Sequence, residues 1–534
     1  MVTAFELVSK GYFPRELPPP FTTKPFGNLT KQWRGQTPPG FALDFCRPII
    51  TRHAIHNLTR FGLVRRQLSI PNPVNFYHIA SLLEMNWSGL LPNWNSSKIS
   101  LSKPSVDPAA ARAVIPSHPW SSHPLHRAAL RATSKYILKS DIDGFYPSVY
   151  THSIPWAIHT KPAAKANRKP NALLGNQIDR CLQYAQDQQT KGIPISPDTS
   201  LVIAEILLGR ADVELAKLIQ VIGFRSYDDY ELGFRSHADA ENGLAALQGV
   251  LAEYELQINT SKTKIIELPA YLDPPWGTEL GALSIGTRSQ YRDLLRYVDR
   301  AFELFRQHPG ADVLKYSISR LNSIVIASSE WGFFQDFLFQ CSMVEPATLH
   351  LVIDHLHRYE AAGYPIDKVK LETVLNTLMS SRGPLGCGNE VAWALWGAIL
   401  FNIPVDQMSA KVLEKMIDPV VALLALDAKN KNLISNQVTF SQWLANMSQA
   451  ELEGNQWLFA YEVNVKGWLP LPGGTDYVLA DPRFALLKQN GVHFYDDSLV
   501  SAHGPTNPIS VRIPRNQPQN IDDSLVPSWD SNYY

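Results

Sequence analysis

Arg225-Ser-Tyr-Asp-Asp-Tyr-Glu-Leu-Gly-Phe234 sets two adjacent carboxylates between short apolar and aromatic flanks. The stretch reads as a β-hairpin that presents Asp228 and Asp229 at its tip. Adjacent acids repel one another and are poor strand formers, so a β-prone frame around them points to a bound cation, of which a divalent metal is the simplest. Taken alone, two acids in a turn are more often a solvated turn. A second stretch changes that balance. Tyr136-Ile-Leu-Lys-Ser-Asp-Ile-Asp-Gly-Phe-Tyr-Pro-Ser-Val149 is a strand-like run that ends on Asp141 and turns through Gly144, Phe145, Tyr146 and Pro147. Phosphoryl transfer by two metal ions about 3.5–4 Å apart needs carboxylates from separate segments, and Asp141 and Asp228 are such a pair.

Four segments in succession resemble the palm of a reverse transcriptase. Asp141 followed five residues later by Tyr146 resembles its first motif, and Gln189-Thr-Lys-Gly-Ile-Pro-Ile-Ser196 the second. Tyr227-Asp-Asp-Tyr230 resembles the third, and Leu256-Gln-Ile-Asn-Thr-Ser-Lys-Thr-Lys264 the fourth. Phe145-Tyr-Pro-Ser-Val-Tyr-Thr-His-Ser-Ile-Pro-Trp-Ala157, and Gly192-Ile-Pro-Ile-Ser-Pro-Asp-Thr-Ser200 with Ala204-Glu-Ile206, resemble the bacterial abortive-infection and defence-associated reverse transcriptases in particular. The likeness runs by motif from about residue 40 to about residue 280, and more loosely to about residue 500.

The resemblance implies an α+β fold: right-hand polymerase fingers and palm, followed by an all-α HEAT-like helical repeat domain in place of the thumb. It implies DNA synthesis from dNTPs in antiphage defence, with two Mg²⁺ ions, or Mn²⁺, held by Asp141, Asp228 and Asp229. Tyr146 stands where the family places the ring that collides with a ribose 2′-hydroxyl. Gly192 stands where backbone approaches the nucleotide, and Lys262, or less well Lys264, where a lysine meets the leaving pyrophosphate. Some relatives prime from a protein tyrosine and make DNA without an ordinary template, leaving DNA covalently attached. Tyr12, Tyr77, Tyr533 and Tyr534 are then the candidate hydroxyls. Other implied partners are a noncoding RNA template and further copies of the chain, as a trimer or hexamer. Two positions depart from the pattern: Ser196 replaces a frequent glycine, and Ser226 replaces an aromatic two residues before Asp228.

Charge is unevenly spread. The formal net charge is zero, yet residues 1–140 hold 17 Lys and Arg against 5 Asp and Glu, and the remainder holds 32 against 44. The basic part is therefore the expected nucleic-acid face. Within it, Arg65-Arg-Gln-Leu-Ser-Ile-Pro-Asn-Pro-Val74 puts two arginines before an alternating strand. Guanidinium forks match phosphate oxygens, so Arg66, and with less support Arg65, is expected to meet a triphosphate; surface ion pairs or template phosphates are the alternatives. His123 and His126 have no matching pair for a metal site. His159, Lys161, Lys165, Arg168 and Lys169 form a basic run that is either a solvated face or a product track. The four cysteines, Cys46, Cys181, Cys341 and Cys387, are too dispersed for a disulfide framework or zinc site. The chain shows no opening signal-peptide pattern and no uncharged apolar stretch of membrane-spanning length, so the expectation is a soluble cytoplasmic protein.

The expected organisation is a Pro-rich arm over residues 1–40, lying on the surface or on a neighbouring subunit. Fingers and palm follow over 41–285, helical repeats over 286–500, and a flexible tail over 501–534. In the repeat region, breaks at Pro309, Pro346 and Pro384, with a second series at Pro365 and Pro404, give a period that fits paired-helix repeats. Trp393, Trp396, Trp457 and Trp468 are expected in the core. A catalytically silent scaffold that binds RNA or a phage protein is the reading from a different class, and three retained acids speak against it.

Overall fold

The structure, a computed structural model, describes residues 1–499 apart from Arg34, Arg60, Phe61, Leu63 and Thr287; the expected tail, with Tyr533 and Tyr534, lies outside the described residues. The fold mixes helix and sheet. Strands β1 (Ala54–Thr59) and β2 (Arg65–Ile70) form one antiparallel hairpin, and β3 (Pro104–Ser105) and β4 (Ile115–Pro116) a minimal second one. The sheet that carries the acids has four antiparallel strands in the order β6-β7-β5-β8: β5 (Tyr136–Asp141), β6 (Gly223–Ser226), β7 (Asp229–Phe234) and β8 (Lys264–Glu267). Apolar and charged residues alternate along these strands. Leu138 and Leu232 are opposite each other and wholly buried, whereas Lys139 faces Glu231.

The helix Asp198–Leu218 packs against both the helix Pro73–Asn95 and the helix His237–Glu253. Gly209 permits the first contact, because a Cβ there would lie 2.6 Å from the Asn93 carbonyl oxygen. The helix His237–Glu253 is capped by Ser236, whose hydroxyl accepts from the Asp239 N–H, and it lies against β5 and β7.

Residues 1–33 are not a surface arm. Helices Ala4–Lys10 and Lys24–Gln32 pack on each other, and Val2, Leu7, Val8, Tyr12 and Phe26 are fully buried in the same core as the rest of the chain. The prolines break up the helices without exposing them. The segment between the helices is tied to the far end of the described chain, the Thr22 N–H donating to the Phe494 carbonyl and the Asp496 N–H to the Pro20 carbonyl. The expected boundary at 285 also moves. The helix Pro275–Ala282 packs on helices Gln290–Gln307 and Val313–Arg320, with Trp276 edge-on to Tyr316 and Arg300 on Glu279, so it belongs with the helices that follow.

Those helices come in stacked antiparallel pairs. First members begin at Trp331, Lys368 and Gln407, spaced by 37 and 39 residues, and each packs on the first member of the next pair. In the helices Gln290–Gln307, Trp331–Val344 and Lys368–Arg382 one side-chain amide clamps the segment that enters the next such helix. Gln290 holds the Val325 carbonyl at 2.9 Å and the Ala327 N–H at 2.7 Å. Gln335 accepts from the Asp367 N–H at 2.8 Å, and Asn376 holds the Pro404 carbonyl at 3.1 Å and the Asp406 N–H at 2.9 Å. A buried amide satisfies backbone groups that a helix pair cannot satisfy alone. Trp396 and Trp457 are core residues as expected, while Trp393 and Trp468 are partly buried at its edge. Among the described residues no helix is long and apolar enough to cross a membrane.

Replacing Asn376 with Ala leaves the Pro404 and Asp406 groups unpaired and is expected to cost about 2–3 kcal/mol in urea unfolding. A loss under about 0.5 kcal/mol contradicts the clamp.

Candidate functional site

Asp141 ends β5 directly opposite Asp229 on β7, and Asp228 occupies the two-residue turn between β6 and β7. The turn is unusual. Tyr227 has φ +52°, a left-handed backbone that a tyrosine adopts only under constraint. Both its backbone groups are gripped: its N–H donates to the Ser102 hydroxyl at 2.7 Å, and its carbonyl accepts from the Arg225 guanidinium at 2.6 Å.

Arg225 itself is wholly buried, facing two carboxylates from the helix Asp198–Leu218. It forks onto Glu205 at 2.7 and 3.0 Å and onto Asp212, the closest contact there being 2.8 Å. Ser100 and Ser102 each donate to Glu205 at 2.7 Å, Ser97 donates to Asp212 at 2.6 Å, and Tyr230 donates to Asp212 at 3.1 Å. Burial works against Glu205, but Arg225 and the serines hold its carboxyl below the usual range; for Asp212 burial prevails and its carboxyl is pushed up. One guanidinium between two buried acids leaves the cluster one positive charge short, and the hydroxyls supply the remaining polar contacts. The roles of Arg225, Asp212 and the serines are not written in their local sequence, because separate elements, the β6–β7 hairpin, the helix Asp198–Leu218 and residues 97–102, bring them together.

Asp141 and Asp228 are 3% and 6% exposed, and one Oδ1 oxygen of each is buried with no hydrogen-bond partner. Burial pushes both carboxyls up. For Asp141 the Lys262 ammonium, 3.0 Å from Oδ2, opposes this; for Asp228 the neighbouring Asp141 charge adds to it, and the pKa rises well above the ordinary value. The two carboxyls are close enough for one to hydrogen-bond the other when protonated. Two ionised carboxylates in that position demand a proton or a cation between them. Their unpartnered oxygens therefore fit a divalent cation, although among the described residues no three His, Cys, Asp or Glu side chains stand as a ready-made metal group. Asp143 is exposed and raises the Asp141 pKa further through its charge.

Other expected residues gather at this point. Tyr146 is buried at the start of the turn after β5, entered through Gly144 at φ +48°, and it lies within the field of Asp228 and Arg66. Arg66 also acts on Asp228. Successive strand residues point to opposite sides, and Arg65 accordingly sits by the turn at Gly386. Lys262 lies in the turn before β8, a segment joined to β5 where the Asn259 N–H donates to the Asp141 carbonyl at 2.6 Å. Gly192, at φ +91°, lies against the segment after β5 that carries Tyr146: its N–H donates to the Val149 carbonyl at 2.7 Å, and a Cβ would meet the Pro147 carbonyl at 3.4 Å.

The remaining candidates lie elsewhere. Tyr12 is stacked on Phe76 at 4.0 Å and its hydroxyl donates to the Pro71 carbonyl. Tyr77 is buried edge-on to Trp33, its hydroxyl 3.2 Å from that of Thr37. Both are core residues, which corrects the expectation that either offers a priming hydroxyl. The basic half is likewise partly internal, with Arg112 on Asp198 and Arg127, Arg131 and Lys139 around Glu231. Lys165, Arg168 and Lys169 are exposed, while Lys161 lies 4.3 Å over the Trp156 ring. Burial lowers the His123 pKa to about 4, and His123 and His126 do not enter a metal group.

Ser196 carries φ +106°, the backbone that glycine favours, at the position where the sequence departs from its pattern. No protein-family model matches the chain, and no curated protein matches it either.

Ser196→Gly is expected to leave stability unchanged or raise it by up to about 1 kcal/mol, because relief of the positive φ offsets the added freedom of the unfolded chain. Arg225→Lys keeps the charge and loses both forks. It is expected to cost about 3–5 kcal/mol in denaturant unfolding, and a cost below about 1 kcal/mol contradicts the role given to the fork.

Proposed function

We propose that the protein is a DNA polymerase of the reverse transcriptase kind, a nucleotidyltransferase that adds dNTPs in antiphage defence. The observation that carries this reading is the buried pair Asp141 and Asp228, brought together from the end of β5 and the β6–β7 turn, each with an unpartnered buried oxygen, and with Arg66, Tyr146 and Lys262 around the pair. The four-stranded antiparallel sheet with adjacent acids where the β6–β7 turn enters β7 supports a palm, and the stacked helix pairs support HEAT-like repeats in place of a thumb.

The reaction joins a 3′-hydroxyl oxygen to the α-phosphorus of a dNTP, breaks the α–β phosphoanhydride bond and releases pyrophosphate. Asp141 and Asp228, with Asp229 beside them, would hold Mg²⁺ or Mn²⁺, which when bound neutralises charge on the reacting phosphates. Arg66 supplies a cation for the triphosphate. The Tyr146 ring walls the sugar side of the site and favours deoxynucleotides. Lys262 holds Asp141 in the resting site and is placed to give a proton to pyrophosphate or to screen its charge. Tyr12 and Tyr77 do not prime in this arrangement, since both hydroxyls are spent inside the fold.

The test is incubation of purified protein with labelled dNTPs and Mg²⁺, with and without added RNA and primer, followed by protease and nuclease treatment. Label that stays with the protein until nuclease treatment marks a self-primed enzyme. Incorporation only with RNA and primer marks a templated one, and no incorporation under either condition overturns the reading in favour of a binding scaffold. Asp228→Asn is expected to abolish incorporation and yet to raise the thermal midpoint in metal-free buffer at pH 8. The sign follows from the raised folded pKa: ionisation of Asp228 costs native stability as pH rises above the unfolded value, and the amide does not ionise. A midpoint lower than wild type at pH 8 contradicts it.

A further inference from the structure

The hairpin that carries Arg66 is held by the helical repeats. His56, on β1, is wholly buried, and its Nδ1 lies 2.8 Å from Asp418 Oδ2, at the start of the helix Pro419–Asn430. The same carboxylate caps that helix, accepting from the Val420 N–H at 3.0 Å. On the other side, His56 Nε2 lies 3.4 Å from Asn389 Oδ1 in the helix Gly388–Phe401. Gly388 makes room for the pair: a Cβ there would fall 2.1 Å from Asp418 Oδ2 and 3.2 Å from His56 Nδ1. The neighbouring Asn57 amide donates to the Gly386 carbonyl at 3.2 Å. Further along, Trp457 donates to the Ile70 carbonyl at 3.0 Å, where β2 ends. The hairpin thus touches three helices, at Asn389, Asp418 and Trp457, and the turn at Gly386, 329 to 387 residues away in the chain, while Arg66 on the same hairpin acts on Asp228.

We propose that the His56–Asp418 ion pair is a positioning device: it clamps the β1–β2 hairpin to the repeats so that Arg66 is held at the triphosphate position. His56 is a positioning residue, since it touches no reacting atom. The inference rests on the function proposed above for its kinetic consequence and on the contacts alone for the clamp. A fixed hairpin meets the entropic cost of ordering Arg66 before nucleotide arrives, so the clamp lowers KM more than it raises kcat.

The pair responds to pH. Burial works against a charged His56, but Asp418, the hydrogen bonds to Asp418 and Asn389, and the Glu390 charge outweigh it and raise its pKa. Glu390 in turn feels Arg382, and the adjoining Cys387 feels Arg65 and Arg382. A raised histidine pKa means that the clamp is complete below the unfolded value and loosens as pH rises through the folded one.

Two variants separate the clamp from folding. Asp418→Asn keeps a helix cap and removes the charge; His56→Asn keeps an N–H near the Nδ1 position and removes the titration. Hydrogen exchange of the full chain reads the clamp directly. Amides of residues 54–59 and 65–70 are expected to lose about tenfold in protection in Asp418→Asn, with β5 and β7 unchanged. In wild type the same amides lose protection as pH rises, after correction for intrinsic exchange, and in His56→Asn they do not. For incorporation, Asp418→Asn is expected to raise the dNTP KM about tenfold with kcat within about twofold. Unchanged hairpin protection, or loss of protection spread evenly over β5 and β7, overturns the clamp. Reduced protection with an unchanged KM overturns the link to Arg66. A wild-type protein that incorporates no nucleotide overturns the polymerase reading and with it that link, while the exchange result still decides the clamp.

Discussion

One buried guanidinium sets the geometry on which the acid site depends. Arg225 ties the β6–β7 hairpin to the helix Asp198–Leu218 through Glu205 and Asp212, and it holds the carbonyl of the residue just before Asp228. Burying an ion pair is costly, and the cost is recovered here only because nearly every polar atom has a partner: three serine hydroxyls, a tyrosine hydroxyl and a backbone carbonyl complete the cluster. An apolar packing of the same volume would give comparable stability. It would not fix Tyr227 in a left-handed conformation, and Asp228 would then have no single direction.

The second constraint is the one the acids impose on themselves. Asp141 and Asp228 are buried, mutually repulsive and only partly relieved by Lys262. A fold that keeps such a pair in its native state holds electrostatic strain at one place, and the surrounding network is rigid enough to keep it there. Proton uptake relieves such strain, and so would the cation that the proposed function requires. The positive φ of Tyr227 lies directly before Asp228, where backbone strain fixes the direction of the acid.

Much of the site was legible in the sequence because its parts are short and local. Asp141, Asp228 and Asp229 sit in contiguous strand–turn patterns, and the structure pairs those strands in register. The 37- to 39-residue period was legible for a similar reason, since each helix pair repeats one local unit. What escaped depends on packing between separate elements. Nothing near Arg225 announces Glu205 or Asp212 as its partners. The N-terminal prolines look like an exposed arm, although Tyr12, Phe13 and Phe26 between them build an aromatic core with Phe494. That core also explains why Tyr12 was misjudged: composition shows a hydroxyl, and only tertiary packing shows that the hydroxyl is spent.

The central proposal is that Asp141 and Asp228 form one cation site, in which a bound cation takes the place of the proton that burial and mutual repulsion favour. Calorimetric titration of Mn²⁺ into the purified chain at pH 7.5, in two buffers of different ionisation enthalpy, tests it most directly. The account predicts saturable binding accompanied by proton release, lost in Asp141→Asn. Binding without proton release, or heat unchanged in Asp141→Asn, would contradict it.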